Sequence, residues 1–233
     1  MRRVAERSDW LDGLEVGALD PSSMEEAIGV LVRGMRDNPT HVAAFGQDPE
    51  RRQRSLRRFF GTAFTVIGLH EHMIVARSED GRVVGVLGMM PPGACLPGSV
   101  QQLRMLPALV RNGPRSAGRV MRWIGAWSER DPAEGHWHLG PLVVDPHLQG
   151  RGVGGRLMQV FCAQVDAARD AAYLETDKEI NVRFHERFGF GVIGEAKVLG
   201  ITNYFMHRTG RRRVRTHQDP GPLKHYDNKG ASR

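Results

Sequence analysis

The 233-residue chain has little cysteine and no long apolar run, and each shortage closes off a class of protein. Two cysteines, Cys95 and Cys162, cannot build a disulfide framework, and no paired CxxC spacing marks a structural zinc site. That usage fits a reducing compartment, so a cytoplasmic location is expected. Nowhere do about 18 uninterrupted apolar residues occur, the length a membrane span needs. The N-terminal MRRVAERSDWLDGLEV carries charge with no apolar stretch behind it. Neither secretion nor a membrane partner is expected. Internal repeats are also missing, as are a helix-turn-helix pattern and a basic surface interleaved with aromatics.

What is present is ordinary globular material, 40% hydrophobic and 25% charged, enough for one domain with a proper core. The formal charge of +7 is unevenly placed. Residues 209–233 hold seven Lys/Arg against Asp219 and Asp227, which leaves only +2 for residues 1–208. The segment 209–233 reads as a solvated, disordered basic tail rather than a nucleic-acid-binding element. Residues 1–208 then form the folded domain.

Along that domain, helical and strand patterns alternate. Residues 14–19 suit a short strand. Residues 24–38 repeat Ile28, Leu31, Val32 and Met35 at helical spacing, with Ser22 or Ser23 as N-cap and Asn38-Pro39 as a stop. Residues 48–64 suggest a second helix, and residues 72–77 and 82–90 a hairpin turning at Ser78-Glu79-Asp80-Gly81. Two further helical stretches fall in residues 99–130, split by Gly113-Pro114, and look like an insertion. A strand at 137–144, a glycine-rich turn, a helix at 154–170, a strand at 171–177, a short helix at 180–188 and strands at 190–198 and 201–207 complete an α/β arrangement.

The most informative segment is Leu139–Arg156, LGPLVVDPHLQGRGVGGR. Gly150, Gly152, Gly154 and Gly155 lie between a strand and a helix, where bare backbone amides at a helix N-terminus suit a phosphate. Gly150-x-Gly152-x-x-Gly155 formally matches a dinucleotide fingerprint, with Glu175 25 residues on. Against that stands Asp145–Gln149, which separates the strand from its first glycine, and the lateness of the element in the chain.

Gln149-Gly150-Arg151-Gly152-Val153-Gly154 resembles the Q/R-x-x-G-x-G/A pyrophosphate loop of the GNAT N-acetyltransferases. Leu142–Pro146 resembles that family's fourth strand and its exit, and Asn181-x-x-Phe184-His185-x-x-x-Gly189-Phe190 its N-x-x-x-Y-x-x-x-G-F helix. The likeness spans Trp137–Arg208, and HWHLGPLVVDPHLQGRGVGG is similar to the branch containing the puromycin-type antibiotic acetyltransferases. The resemblance implies a mixed, mostly antiparallel sheet of six to seven strands flanked by helices, with residues 99–130 inserted before the fourth strand.

It further implies acetyl-CoA as co-substrate, a small-molecule primary amine as acceptor and direct transfer in a ternary complex. Backbone groups of Leu142, Val143 and Val144 would pair with pantetheine. The amides from Gln149, Gly150, Arg151, Gly152, Val153, Gly154 and Gly155 would hold the pyrophosphate. Asn181 would hydrogen-bond near the pantetheine or leaving group, its alternative being a helix N-cap. Phe184 would touch pantetheine. His185 falls where the family carries its tyrosine acid, and an ordinary imidazole near ~6.5 is largely neutral at pH 7.5. That departure keeps open a catalytically weak acyl-CoA-binding module. His138, two residues after His136 and on the same side of a strand, stands where some relatives carry their base. The two histidines lack a visible third ligand, so no metal is expected. By analogy with relatives, a homodimer is expected. Trp123 and Trp127, four apart, should pack inward, and Cys162 should be buried and inert.

Overall fold

The computed structural model describes residues 11–66, 68–94 and 99–210. Cys95 and the basic tail from Arg211 onward lie outside the described residues. The chain runs β1 (Glu15–Ala18), α1 (Met24–Met35), α2 (Pro39–Phe45), α3 (Pro49–Val66), β2 (Met73–Arg77), β3 (Val83–Met90), α4 (Ser99–Arg111), α5 (Pro114–Ser128), β4 (His136–Val144), α6 (Val153–Ala168), β5 (Ala171–Thr176), α7 (Glu179–Glu186), β6 (Gly191–Val198) and β7 (Ile201–Arg208). The seven strands form one sheet in the order β1-β2-β3-β4-β5-β7-β6. Every neighbouring pair is antiparallel except β4 and β5, which run parallel because α6 carries the chain back between them. The mixed, mostly antiparallel architecture expected from the sequence is the one observed.

Two local expectations are corrected. Asn38-Pro39 does not simply end a helix: Pro39 opens α2, because its fixed φ suits a first helical position while Asn38 is held extended before it. Ser23 sits at the N-terminus of α1 without capping it through its side chain. The Asp20 carboxylate instead accepts from the Ser23 N–H at 3.1 Å.

Both faces of the sheet are covered. On one, Val75, Val86 and Val143 pack against Leu31, Leu56, Phe60 and Trp123 from the N-terminal helices and the inserted pair. On the other, Leu87, Leu139, Ala172, Leu174 and Met206 meet Leu157, Phe161 and Val165 of α6. The inserted α4 and α5 lie against α3 and α2. Trp123 packs inward as expected, and Trp127 Nε1 donates to the Asn203 side-chain oxygen at 2.9 Å, tying α5 to β7.

One irregularity of β4 positions everything that follows. Leu87 pairs with Leu142 but Met89 with Leu139, so β4 holds one residue more than β3 across this step. Trp137 and Leu139 face α6, and so do Leu142 and Val144; the bulge resets the alternation between them. His136 and His138 therefore point to the opposite face, with Tyr173 and Glu175 of β5. The backbones come so close here that a Cβ at Gly88 would collide with the Gly140 carbonyl.

Candidate active site

β4 and β5 pair only at His136–Ala171, Trp137–Ala172 and His138–Tyr173. Beyond His138 the two strands part, β5 continuing against β7 while β4 stays with β3. This seam leads to a cleft of about 650 Å³. Its β4 wall is Leu142, Val143 and Val144; its floor is the loop from Leu148 to Gly155; its far wall is Asn181, Phe184, His185 and Phe188 of α7 and the turn after it.

The loop has its shape for local reasons. Gly150 and Gly152 adopt φ of 76° and 99°, a region open to glycine at little cost. Gly152 is the N-cap of α6 and supplies no side-chain cap. Val153, Gly154 and Gly155, the first residues of α6, line the cleft at the positive end of the helix dipole, where the first amides have no partner within the helix. A Cβ at Gly155 would meet no protein atom within 4 Å. Gln149 folds back, its Nε2 donating to the Val144 carbonyl at 3.2 Å, which secures the loop to the end of β4. Arg33 of α1 pairs with Asp145 at 2.6 Å and braces the same exit. α1 reaches β4 this closely because residue 34 is glycine: a Cβ there would overlap Val143.

Most of the residues singled out from the sequence thus meet in one cleft. Arg151 does not line it and is exposed. Asn181 is not a helix N-cap: Lys178 occupies that position, and Asn181 Nδ2 donates to Thr176 Oγ1 at 3.2 Å. Sequence reasoning missed Gly34 and Met35 of α1 and Asn38 just before α2, which reach the cleft, and Lys178 and Arg187, which add positive charge to its rim. Arg187 lies over the Phe184 ring at 5.2 Å. Cys162 is half-buried, and burial raises its thiol pKa, so it is held as the thiol.

His185 lines the cleft yet is only 5% exposed, edge-on to Phe184 and Phe190. Burial lowers its pKa to about 4. At pH 7 about one molecule in a thousand would carry the imidazolium. The neutral ring can donate an N–H hydrogen bond, but it is not a standing proton source.

On the opposite face, His138 lies outside the cleft, four residues before Leu142 and roughly 12 Å along the strand. Its Nε2 is 2.9 Å from Glu175 Oε2, whose side chain is 2% exposed, and its Nδ1 is 3.8 Å from Asp131 Oδ1. His136 Nδ1 meets the Glu134 carbonyl at 2.8 Å, and its Nε2 is 3.2 Å from Asp131 Oδ1. Tyr173 packs edge-on against both rings and donates its hydroxyl to the Arg130 carbonyl. Burial, together with the charges of Glu175 and Asp131, raises the Tyr173 pKa, so it stays protonated. Glu175 and Asp131 escaped the sequence reading of this cluster because neither lies at a fixed spacing from the histidines.

A helix N-terminus behind a glycine loop thus stands beside a strand that has parted from its parallel neighbour. The chain belongs to the acetyltransferase (GNAT) family, whose model matches residues 36–190. Among solved structures it is similar to a histone acetyltransferase HPA2 and related acetyltransferase from Corynebacterium glutamicum ATCC 13032, at TM-score 0.69 and 20% identity over 87% of this chain and 99% of that one. The polyamine N-acetyltransferase of Drosophila melanogaster, which forms N-acetylagmatine, matches at TM-score 0.60 and 17% identity over 84% and 99%. Arylalkylamine N-acetyltransferase 2 from Aedes aegypti matches at 0.57 and 14% over 84% and 98%. No helix among the described residues is long and apolar enough to cross a membrane.

Proposed function

We propose that this acetyltransferase moves the acetyl group of acetyl-CoA to a small primary amine by direct transfer in a ternary complex. The observation that carries the reading is the seam itself, an unpaired stretch of β4 that ends at open helix amides. Those amides, at Val153, Gly154 and Gly155, suit a pyrophosphate. The backbone edge of Leu142, Val143 and Val144 suits the amide groups of a pantetheine arm, with Phe184 against its methylenes. Lys178 and Arg187 supply counter-charge at the rim. Acetyl-CoA supplies an acetyl group activated as a thioester.

On the acceptor side, His138 serves as the base. Glu175 and Asp131 flank the ring, the ammonium proton reaches it through water, and the two carboxylates then stabilise the imidazolium. His185 serves as a neutral hydrogen-bond donor toward the departing sulfur, and solvent supplies the proton. The recessed position of His138 and Glu175 favours an unencumbered amine over a protein lysine. Relatives of this fold named for polyamines and arylalkylamines support the same choice. The likeness to the puromycin-type branch rests on residues 136–155 alone, whereas the family match and the structural relatives support only the family.

The test is continuous thiol release from acetyl-CoA against a panel of amines from pH 6 to 9, with wild type and His185→Tyr side by side. Amine-dependent release is expected. Tight CoA binding with no release for any amine would favour an acyl-CoA-binding module instead.

A further inference from the structure

The cluster of Asp131, His136 and His138 does more than position a base. We propose that these three residues form a binding site for a divalent transition-metal cation of the Zn2+ type. Its effect on activity rests on the reading of His138 as base; the site itself does not.

A carbonyl oxygen only accepts, so the 2.8 Å contact of His136 Nδ1 with the Glu134 carbonyl engages that nitrogen as a donor and turns Nε2 toward Asp131 Oδ1 at 3.2 Å. Glu175 Oε2 stands 2.9 Å from His138 Nε2 and turns Nδ1 toward the same Asp131 oxygen at 3.8 Å. Two imidazole nitrogens and a carboxylate oxygen therefore converge, and a metal ion that displaces the protons between them can take all three as ligands.

The distances suit this occupant. Tetrahedral ligands about 2.0–2.1 Å from zinc stand roughly 3.3 Å from one another. The three ligand atoms here lie within 4.8 Å of one another, and one pair is already at 3.2 Å. Closure needs side-chain shifts on the order of 1 Å. Each histidine already carries the outer hydrogen bond, to a carbonyl or a carboxylate, that typically fixes a metal-bound imidazole. Two histidines and one carboxylate also form a donor set that zinc accepts, with a fourth position left to water. An ion there would engage His138, the residue assigned to proton removal, so filling the site should stop acetyl transfer.

The experiment uses the full chain stripped with a chelator, then titrated with Zn2+ by calorimetry and with Co2+ by visible absorption. One equivalent of metal and tetrahedral Co2+ bands are expected, with affinity falling at least tenfold in Asp131→Asn and in His136→Gln. Both variants are taken at matched metal-free melting temperature, and His138→Asn provides a third ligand deletion should either fail to fold. Binding that all the folded variants retain, or no binding at micromolar Zn2+, would overturn the site. Inhibition of amine-dependent thiol release by Zn2+, reversed by chelator, is expected in wild type and absent in His136→Gln. Because calorimetry involves no acetyl transfer, a chain that binds one metal through these residues but acetylates no amine still supports the site while removing the transferase reading.

Discussion

Acid should weaken this fold through His185, by an amount that can be worked out from its surroundings. The ring is buried, its pKa falls from an ordinary 6.5 to about 4, and desolvation is the cause. A folded-state pKa below the unfolded value means that the unfolded chain binds the proton more readily. Stability is then complete above pH 6.5 and drains away as pH falls toward 4. With one pKa unit equal to about 1.4 kcal/mol, this histidine alone should cost about 2 kcal/mol between pH 7.5 and pH 5.0. Domains of this kind are stable by about 5–15 kcal/mol, so the loss should be plain in urea unfolding at the two pH values. His185→Phe keeps an aromatic ring between Phe184 and Phe190 and removes the titration. It should shrink the difference between pH 7.5 and 5.0 by about 2 kcal/mol relative to wild type. His41, in the core on the other side of the sheet, is likewise held at about pH 4, chiefly by burial. His41→Phe should remove a comparable share, and the two effects should add because no partner is shared. An unchanged pH difference in His185→Phe would refute the assignment of acid sensitivity to this ring.

Glu175→Gln should lower kcat about 100-fold with little change in the KM for acetyl-CoA, since it leaves the cleft intact but withdraws the charge behind His138; steady-state kinetics separates the two constants. Gly34→Ala should destabilise by about 1–3 kcal/mol and raise the KM for acetyl-CoA, because its methyl group drives α1 off Val143; thermal unfolding and kinetics check both parts. Asn203→Ala strands the half-buried Trp127 N–H and should lose about 1 kcal/mol in denaturant unfolding, with protection from hydrogen exchange falling first in α5.

The glycine loop was legible in the sequence because its chemistry is local: the turn, the bare amides and the helix start all lie within residues 149–155. The strands and long helices were legible for the same reason, their apolar spacing being set by their own geometry. α2 was not, because Asn38-Pro39 signals both an end and a beginning. The cluster around His136 and His138 was half legible. His136 and His138 share a strand face by alternation, but Asp131 reaches them from the preceding turn and Glu175 from β5, and only the parallel pairing of β4 with β5 brings that carboxylate alongside. Nor could the spacing along α7 reveal that His185 would be sealed among aromatic rings, a property of the packed molecule and not of the helix.

The short pairing of β4 with β5 makes the sheet mechanically uneven. Four strands on one side and three on the other are joined by three residue pairs at one end and by α6 running across the back. A ligand whose own amides bridge the parted edges would act as a missing rung, stiffening the protein along the line where it is weakest. Substrate capture and structural completion would then be one event, and product departure would reopen the sheet. Resistance to proteolysis and to hydrogen exchange should accordingly rise on both sides of the seam together when the thioester binds, and the pace of that opening would bound how fast the enzyme can turn over.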